Sequence, residues 1–370
     1  MPNPWRRQGI TAGAPRSIPS GRCLMRPGRC RLGGDFKART NMSRVVQFSE
    51  YGGPDVLQIV DVALPEPAAD EVRIAVKAIG LNRAESMWRS GRYVEPVRLP
   101  ARLGYEVSGY VDAVGAGVGG LAVGDQVTTV PAFSMNDYGM YGERVLAPAA
   151  AVIRHVEPMP HVEATTLWNV FLTPYGALLE DGTMKRGDTV VIPAASSGIG
   201  LGAIQIVNAG GGVPVALTRT SAKRARLLKA GAAHVIVTEE QDVVVEIMRI
   251  TGGKGADIVF DPVGGPDFAR LVTACAPGAT MFLYGALSTE PTVLPLLEVI
   301  PRMPVIRGYN LFGLTTDRKR LEAAASYVLT GVASGVFKPV VAETFGFDDI
   351  VEAHRHLERN THFGKIVVSL

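Results

Sequence analysis

A two-part α/β protein is what this sequence predicts: a small, irregular, β-rich first domain, then a doubly wound parallel sheet with helices on both faces. Three observations lead there. Beyond Arg44 the chain runs in short apolar or alternating stretches broken by Gly, Pro and Asp. Near Val162 the rhythm changes to strand and helix in alternation. Finally, 47% hydrophobic against 20% charged residues, with 42 Gly and 25 Pro among 370, describes a turn-rich chain with enough apolar material for about two domains.

The first runs, 56–62, 71–79, 110–114, 126–130 and 143–147, are short and half-apolar, as strands of a small barrel-like domain are. Strands at 189–192, 213–217, 234–237, 257–260 and 280–284 then alternate with helices at 198–209, 221–230, 242–250 and 267–275. Right-handed crossovers between such units build a parallel sheet. The tail adds helices at 321–329 and 347–358 and a strand at 365–369. That last strand has no obvious partner in a completed parallel sheet and is expected to return to the first domain. The expected divisions are 42–167, 168–311 and a returning 312–370.

Composition excludes several function classes. Residues 1–41 hold nine basic side chains against one acid, Asp35, leaving 29 basic and 34 acidic residues beyond them. The remainder has no basic excess for a nucleic acid's phosphates. The basic arm, interrupted by Pro2, Pro4, Pro15, Pro19 and Pro27, shows no signal-like apolar core and no amphipathic period, and is expected to be disordered. Two origins stay open for it: translation upstream of a true start at Met42, or a transit peptide. No apolar run reaches the roughly 18 residues that a membrane span needs. Cys23, Cys30 and Cys275 are too few and too scattered for a disulfide framework or a four-thiolate zinc site. They suggest a reducing compartment, the cytoplasm, or the mitochondrion if the arm is a transit peptide.

Strand 189–192 runs into Pro193-Ala194-Ala195-Ser196-Ser197-Gly198-Ile199-Gly200-Leu201-Gly202 and then a helix. Ala195, Ser197 and Gly200 take the three small-residue positions of a dinucleotide fingerprint. With Ser196, Gly198 and Ile199 they form a loop whose backbone approaches a pyrophosphate at a helix N-terminus. Small residues also occur in ordinary strand-to-helix turns, but the setting among successive βαβ units favours the phosphate cradle. An NAD site usually carries Asp or Glu about 20 residues further on. Here the second strand ends in Thr218-Arg219-Thr220-Ser221-Ala222-Lys223-Arg224, without an acid. Arg219 and Lys223 suit a 2′-phosphate, with Thr218 and Ser221 as hydroxyl donors, so the cofactor expected is NADP(H). A solvated basic helix start is the plainer alternative, but cations at a helix N-terminus oppose its dipole.

The same loop occurs in short-chain reductases, which need Lys four residues after Tyr on one helix; none of the ten tyrosines here has it. Instead the chain resembles the medium-chain dehydrogenase/reductase superfamily, and within it the zinc-independent quinone oxidoreductases and zeta-crystallin-like enzymes. The resemblance spans 42–370 and rests on Tyr51-Gly-Gly-Pro-Asp-Val-Leu57, Gly80-Leu-Asn82, Arg89-Ser-Gly-Arg-Tyr93, Gly104-Tyr-Glu-Val-Ser-Gly109, Val114-Gly115, Gly124-Asp-Gln-Val127, the 195–200 loop and Gly364-Lys-Ile-Val-Val368. It implies a GroES-like catalytic domain interrupted by a Rossmann domain, with NADPH in the cleft between them. It is expected to be a homodimer.

Zinc enzymes of that superfamily carry Gly-His-Glu where this chain has Gly104-Tyr105-Glu106. The six histidines form no metal-spaced set; His354 and His356, two apart on a predicted helix, point in different directions and read as surface residues. No metal site is expected. Hydride transfer then requires an acceptor that is already electrophilic, a quinone or an α,β-unsaturated carbonyl, whose oxyanion hydrogen bonds can hold. The resemblance assigns Tyr93 as proton donor, with a packed aromatic as the plainer alternative, and Asn82 as the group orienting the substrate oxygen. Met87 stands where many quinone reductases have a second tyrosine, which weakens strict quinone specificity. Further cofactor contacts implied are Tyr284-Gly285-Ala286-Leu287 beside the nicotinamide, Thr238 toward the adenine, Tyr309 to Phe312 after the last sheet strand, and Lys365. Asp261-Pro-Val-Gly264 ends a strand at the ligand-binding edge. A nucleotide-binding structural or regulatory protein with little turnover remains the alternative.

Overall fold

In chain order the first part supplies β1 (Met42–Phe48), β2 (Gln58–Ala63), β3 (Glu71–Gly80), helix α1 (Arg83–Arg89), β4 (Ala101–Arg102), β5 (Glu106–Val114), β6 (Gln126–Thr129), β7 (Arg144–Pro148) and β8 (Val152–Arg154). The structure, a computed structural model, describes residues 42–155 and 158–370, so the expectations for residues 1–41 lie outside the described residues. Strand β2 starts at Gln58 rather than at residue 56 because Pro54 opens a 3-10 turn over Pro54–Val56. Strand β5 is longer than the 110–114 expected. Its Gly109, which reads as a turn, lies where β3 and β5 close together, and a Cβ there would run into the Ala75 carbonyl.

The second part supplies helix α2 (Trp168–Pro174), β9 (Thr189–Ile192), α3 (Gly198–Ala209), β10 (Val213–Thr218), α4 (Arg224–Lys229), β11 (His234–Val237), α5 (Val243–Ile250), β12 (Ala256–Asp261), α6 (Phe268–Thr273), β13 (Cys275–Leu283), α7 (Leu296–Arg302) and β14 (Val305–Gly308). All six strands are parallel, in the order β11-β10-β9-β12-β13-β14. The chain builds outward from β9, crosses back to β12 and builds outward again. A switch point therefore opens between the carboxyl ends of β9 and β12. Strand β13 begins at Cys275, earlier than the expected 280, and takes in Pro277 and Gly278 where the ladder to β12 shifts register between Ala256 and Ile258. Both faces of this sheet are covered: Val191, Val215, Ile247, Phe268 and Met281 fill one side, and Val190, Ile192, Phe260 and Phe282 join the larger core on the other.

The chain closes with α8 (Arg318–Ala333), β15 (Val341–Gly346), α9 (Ile350–Arg359) and β16 (Lys365–Ser369). Strand β16 runs antiparallel to β3, pairing Val367 with Gly80, within a sheet ordered β15-β16-β3-β5-β6-β8 that also takes β7 on β3. Gly364, just before it, bridges to Ser197 of the fingerprint loop. The return of the chain thus carries Lys365 to the seam between the two sheets.

One surface assignment fails. His354 is wholly buried, because Ile350, Ala353, His354 and Leu357 form the apolar stripe of α9 at helical spacing. Its ring packs on Tyr141 at 5.8 Å, and neither nitrogen has a hydrogen-bond partner among the described residues. His356 is half-buried, its Nε2 3.2 Å from the Glu343 carboxylate. Among the described residues, no helix is long and apolar enough to cross a membrane.

Candidate active site

A cleft of about 390 Å³ runs between the fingerprint loop and the first sheet. On one wall, Ser197 caps α3, its Oγ accepting from Gly200 N at 3.1 Å. Ala194 turns the chain at φ 49°, and a Cβ on Gly200 would meet the Ala194 and Ala195 backbone at 2.7 Å, so this helix start admits only glycine at 200. Ser197, Gly198 and Ile199 line the cleft, and the first-turn amides of α3 have no intrahelical acceptors. Ala195, Ser196 and Gly200 stand behind them, outside the cleft lining.

Lys223 reaches this loop from the turn before α4. Its ammonium donates to Ser196 Oγ at 2.9 Å and to the carbonyls of His362 and Asn360 at 2.8 and 3.2 Å. Burial, then the charges of Arg219 and Arg226, hold its pKa below the ordinary lysine value. Arg219 is exposed, and its guanidinium makes no hydrogen bond or ion pair among the described residues. Thr238 N donates to the Thr218 carbonyl at 2.8 Å, placing that residue beside the basic loop rather than in the cleft. Ser221 N donates to Glu240 at 3.1 Å, so a carboxylate contributed by the β11–α5 loop stands where 218–224 alone shows none.

The floor is the loop after β13. Tyr284 N donates to the Asp261 carbonyl and Leu287 N to that of Pro262, both at 3.0 Å, while Gly285 lies so near Pro262 that a Cβ would meet its carbonyl at 2.7 Å. Tyr284, Gly285, Ala286 and Leu287 all line the cleft. The Tyr284 ring stacks on Phe260 at 4.0 Å, and its buried hydroxyl has no hydrogen-bond partner among the described residues. Asp261 spends its carboxylate on its own turn, accepting from Val263 N and Gly264 N.

The opposite wall is a buried polar knot. Asn82 Oδ1 accepts from Lys365 Nζ at 2.8 Å and from Asn169 Nδ2 at 2.7 Å, while Asn82 Nδ2 donates to Glu85 at 3.1 Å. Glu85, wholly buried, also accepts from the Asn82 and Tyr105 amides and from Tyr141 Oη at 2.8 Å. Burial pushes its carboxyl up to about 7 against the pull of those donors. Lys365 Nζ also meets the Glu106 carboxylate. Tyr93 lies edge-on to Trp88, and its hydroxyl is 3.3 Å from that of Tyr105.

The structure therefore brings Asn82, Tyr93, Lys365, Ser197 to Ile199 and the 284–287 loop around one cavity. Thr218, Arg219, Ser221, Lys223 and Thr238 are not among the residues that line it. Sequence reading missed Arg83, Asn169 and His362, which also line the cleft. Arg83 had a signal in its place directly after Asn82; the other two sit in no motif.

Residues 68–158 match the family described as alcohol dehydrogenase GroES-like domain, and 198–330 the one described as zinc-binding dehydrogenase. Quinone oxidoreductase 1 of Escherichia coli (strain K12) is 33% identical over 323 residues, 86% of this chain and 96% of that protein. The chain belongs to the quinone oxidoreductase family of medium-chain dehydrogenase/reductases. The crystal structure of an Escherichia coli quinone oxidoreductase complexed with NADPH superposes with a TM-score of 0.82 at 30% identity, covering 89% of this chain and all of that one. The rat synaptic vesicle membrane protein VAT-1 homolog is 29% identical over 343 residues, 88% of this chain and 83% of its own.

Within this quinone oxidoreductase family, the matched description names zinc, and the residues present do not fit it. Tyr105 is a phenol, Glu106 is already paired with Lys365, and among the described residues no three His, Cys, Asp or Glu groups gather as a metal would need.

Proposed function

We propose that the protein is an NADPH-dependent oxidoreductase that reduces quinones or α,β-unsaturated carbonyls without a metal. The observation that carries this reading is that the helix-capping loop at Ser197 to Ile199, the 284–287 loop and the Tyr93 phenol line a single, largely apolar cavity. A relative crystallised with NADPH supports the cofactor assignment.

The residues fit that cofactor. Gly200 leaves room for a close backbone approach, the first-turn amides of α3 suit a pyrophosphate, and Arg83 in the cleft lining adds a cation. Arg219, which has no partner among the described residues, is the group for a 2′-phosphate, with Lys223, Thr218 and Ser221 close to it in the chain and Thr238 bonded to the Thr218 carbonyl. The 284–287 loop holds the nicotinamide face. When bound, the cofactor supplies a hydride. The protein's share is to exclude water with Leu287, Phe312 and Val94, hold the acceptor oxygen, and deliver a proton from Tyr93 Oη. Asn82 has its amide committed to Lys365, Asn169 and Glu85, so it acts by fixing the wall rather than by an unused donor.

A homodimer belongs to the same proposal. Strand β14 is the outer strand of the parallel sheet, exposed along its whole length, and beside it Leu296, Leu297, Ile300 and Met303 are exposed too. An edge strand flanked by an apolar helix can pair with its own copy about a two-fold axis and cover both at once.

The test is NADPH consumption with a panel of quinones and enones, before and after exhaustive chelation. Turnover on at least one acceptor, undiminished by the chelator, is expected. Cofactor binding without turnover on any acceptor favours the non-catalytic alternative, and loss of turnover on chelation overturns the metal-free chemistry.

A further inference from the structure

We propose that Tyr105 is a positioning residue for proton delivery: its hydroxyl donates to the oxygen of Tyr93, so that the Tyr93 proton points into the cleft and the phenolate left after transfer is held. This rests on the reading of the site given above and assigns a role to a residue that reading leaves out.

Tyr105 is held by its backbone and by its ring. Gly104 precedes it at φ 108°, a conformation that turns the chain sharply into β5. Its amide donates to Glu85 at 3.2 Å and its carbonyl accepts from Thr129 Oγ1 at 2.8 Å. The ring is 2% exposed and packs against Phe133 and Phe312, each at 5.8 Å. Among the described residues its hydroxyl meets a single partner, Tyr93 Oη at 3.3 Å. A buried hydroxyl with one neighbour gives its proton to that neighbour, because leaving the donor unmade costs more than the bond returns. Tyr93 then accepts from Tyr105, and its own proton is left for a group in the cleft.

The charges nearby show why a donor is needed. Burial raises the Tyr93 phenol, the Tyr105 bond pulls it down, and the carboxylates of Glu85 and Glu95 raise it further. The ammonium in the cleft lining, that of Lys365, is committed to Asn82 and Glu106. When the Tyr93 O–H bond breaks and its proton passes to the reduced acceptor, the phenolate faces two carboxylates. Tyr105 is the group placed to meet it with a charge-assisted bond. Water entering after product leaves restores the proton.

The experiment uses Tyr105→Phe, which keeps the ring between Phe133 and Phe312. In cofactor-free protein carrying ring-carbon-labelled tyrosine, with Tyr93 assigned by Tyr93→Phe, the Tyr93 titration should move up by about one pH unit or more. On an enone, kcat should fall about tenfold with KM and NADPH affinity unchanged, and Tyr105→Phe should cost nothing further in a Tyr93→Phe background. An unmoved Tyr93 titration overturns the proposal, as does an equal loss in both backgrounds. Should Tyr105→Phe not fold, the Tyr105 resonance must shift in Tyr93→Phe, and an unchanged one overturns it. A wild-type protein that reduces no acceptor overturns the reading of the site, while the titration still judges the pair.

Discussion

The ammonium of Lys365, on the last strand, meets the carboxylate of Glu106, 259 positions earlier, with their side chains 4% and 1% exposed. A buried pair of this kind adds little net stability but is costly to break on one side. Lys365→Met should destabilise the fold by about 3 to 5 kcal/mol in urea denaturation. Adding Glu106→Gln should recover part of the loss. Equal losses for the single and double variants would show that the two charges are not coupled.

Arg219→Ala should weaken NADPH binding about tenfold or more and leave NADH nearly unaffected, since a charge-assisted contact to phosphate is worth about 1.5 to 3 kcal/mol. Fluorescence titration of both cofactors reads this out. Wild-type affinities that are equal for NADPH and NADH would remove the 2′-phosphate from the argument.

Acid should destabilise the fold through His354. Burial, then Arg89 and Arg83, lower its pKa to about 3, against an unfolded value of about 6.5. Between those values the unfolded chain binds more protons, so this contribution is complete above the unfolded value and is lost as pH falls toward the folded one, by up to about 1.4 kcal/mol per pH unit. Denaturation of wild type and His354→Leu across this window should give a flatter pH dependence for the variant. Identical slopes would mean that His354 titrates normally.

Replacing exposed Leu297 and Ile300 by Glu should convert a dimer to a monomer with its fold intact, as seen by analytical ultracentrifugation and circular dichroism. A dimer unaffected by both changes would place the contact elsewhere.

What was legible in the sequence was local. The 195–200 loop announces itself because strand, small residues and helix follow one another, and β9 to β14 alternate with helices at ordinary spacing. The polar knot was not legible, because Asn82 takes its partners from Glu85, Asn169 and Lys365, up to 283 positions away. Tyr105 read only as the absence of a histidine, since nothing in the chain near it says that Tyr93 stands opposite. His354 was misread because a histidine on an apolar stripe looks polar residue by residue, whereas its position on α9 decides its burial. Glu240 was missed for a related reason: it approaches Ser221 from the next crossover, not from the segment that carries the basic side chains.

Tyr93→Phe should lower enone turnover by about 10²-fold, the scale of a positioned general acid, with NADPH affinity nearly constant. Quinones should suffer less, because the quinol oxyanion is stabilised by its own ring and can take a proton from water. Steady-state kinetics on both acceptor classes beside a cofactor titration separates chemistry from binding. Unchanged enone turnover would take Tyr93 out of the mechanism.

The central claim is hydride transfer from NADPH to an acceptor in the cleft, and the most direct test is to follow the hydride itself. NADPH deuterated at the transferring position of the nicotinamide, incubated with the protein and an enone, should give a saturated product carrying one deuterium at the carbon β to the carbonyl, with turnover slowed by the label. NADPH that binds but passes no deuterium to any enone or quinone would contradict the account and leave a nucleotide-binding protein without this chemistry.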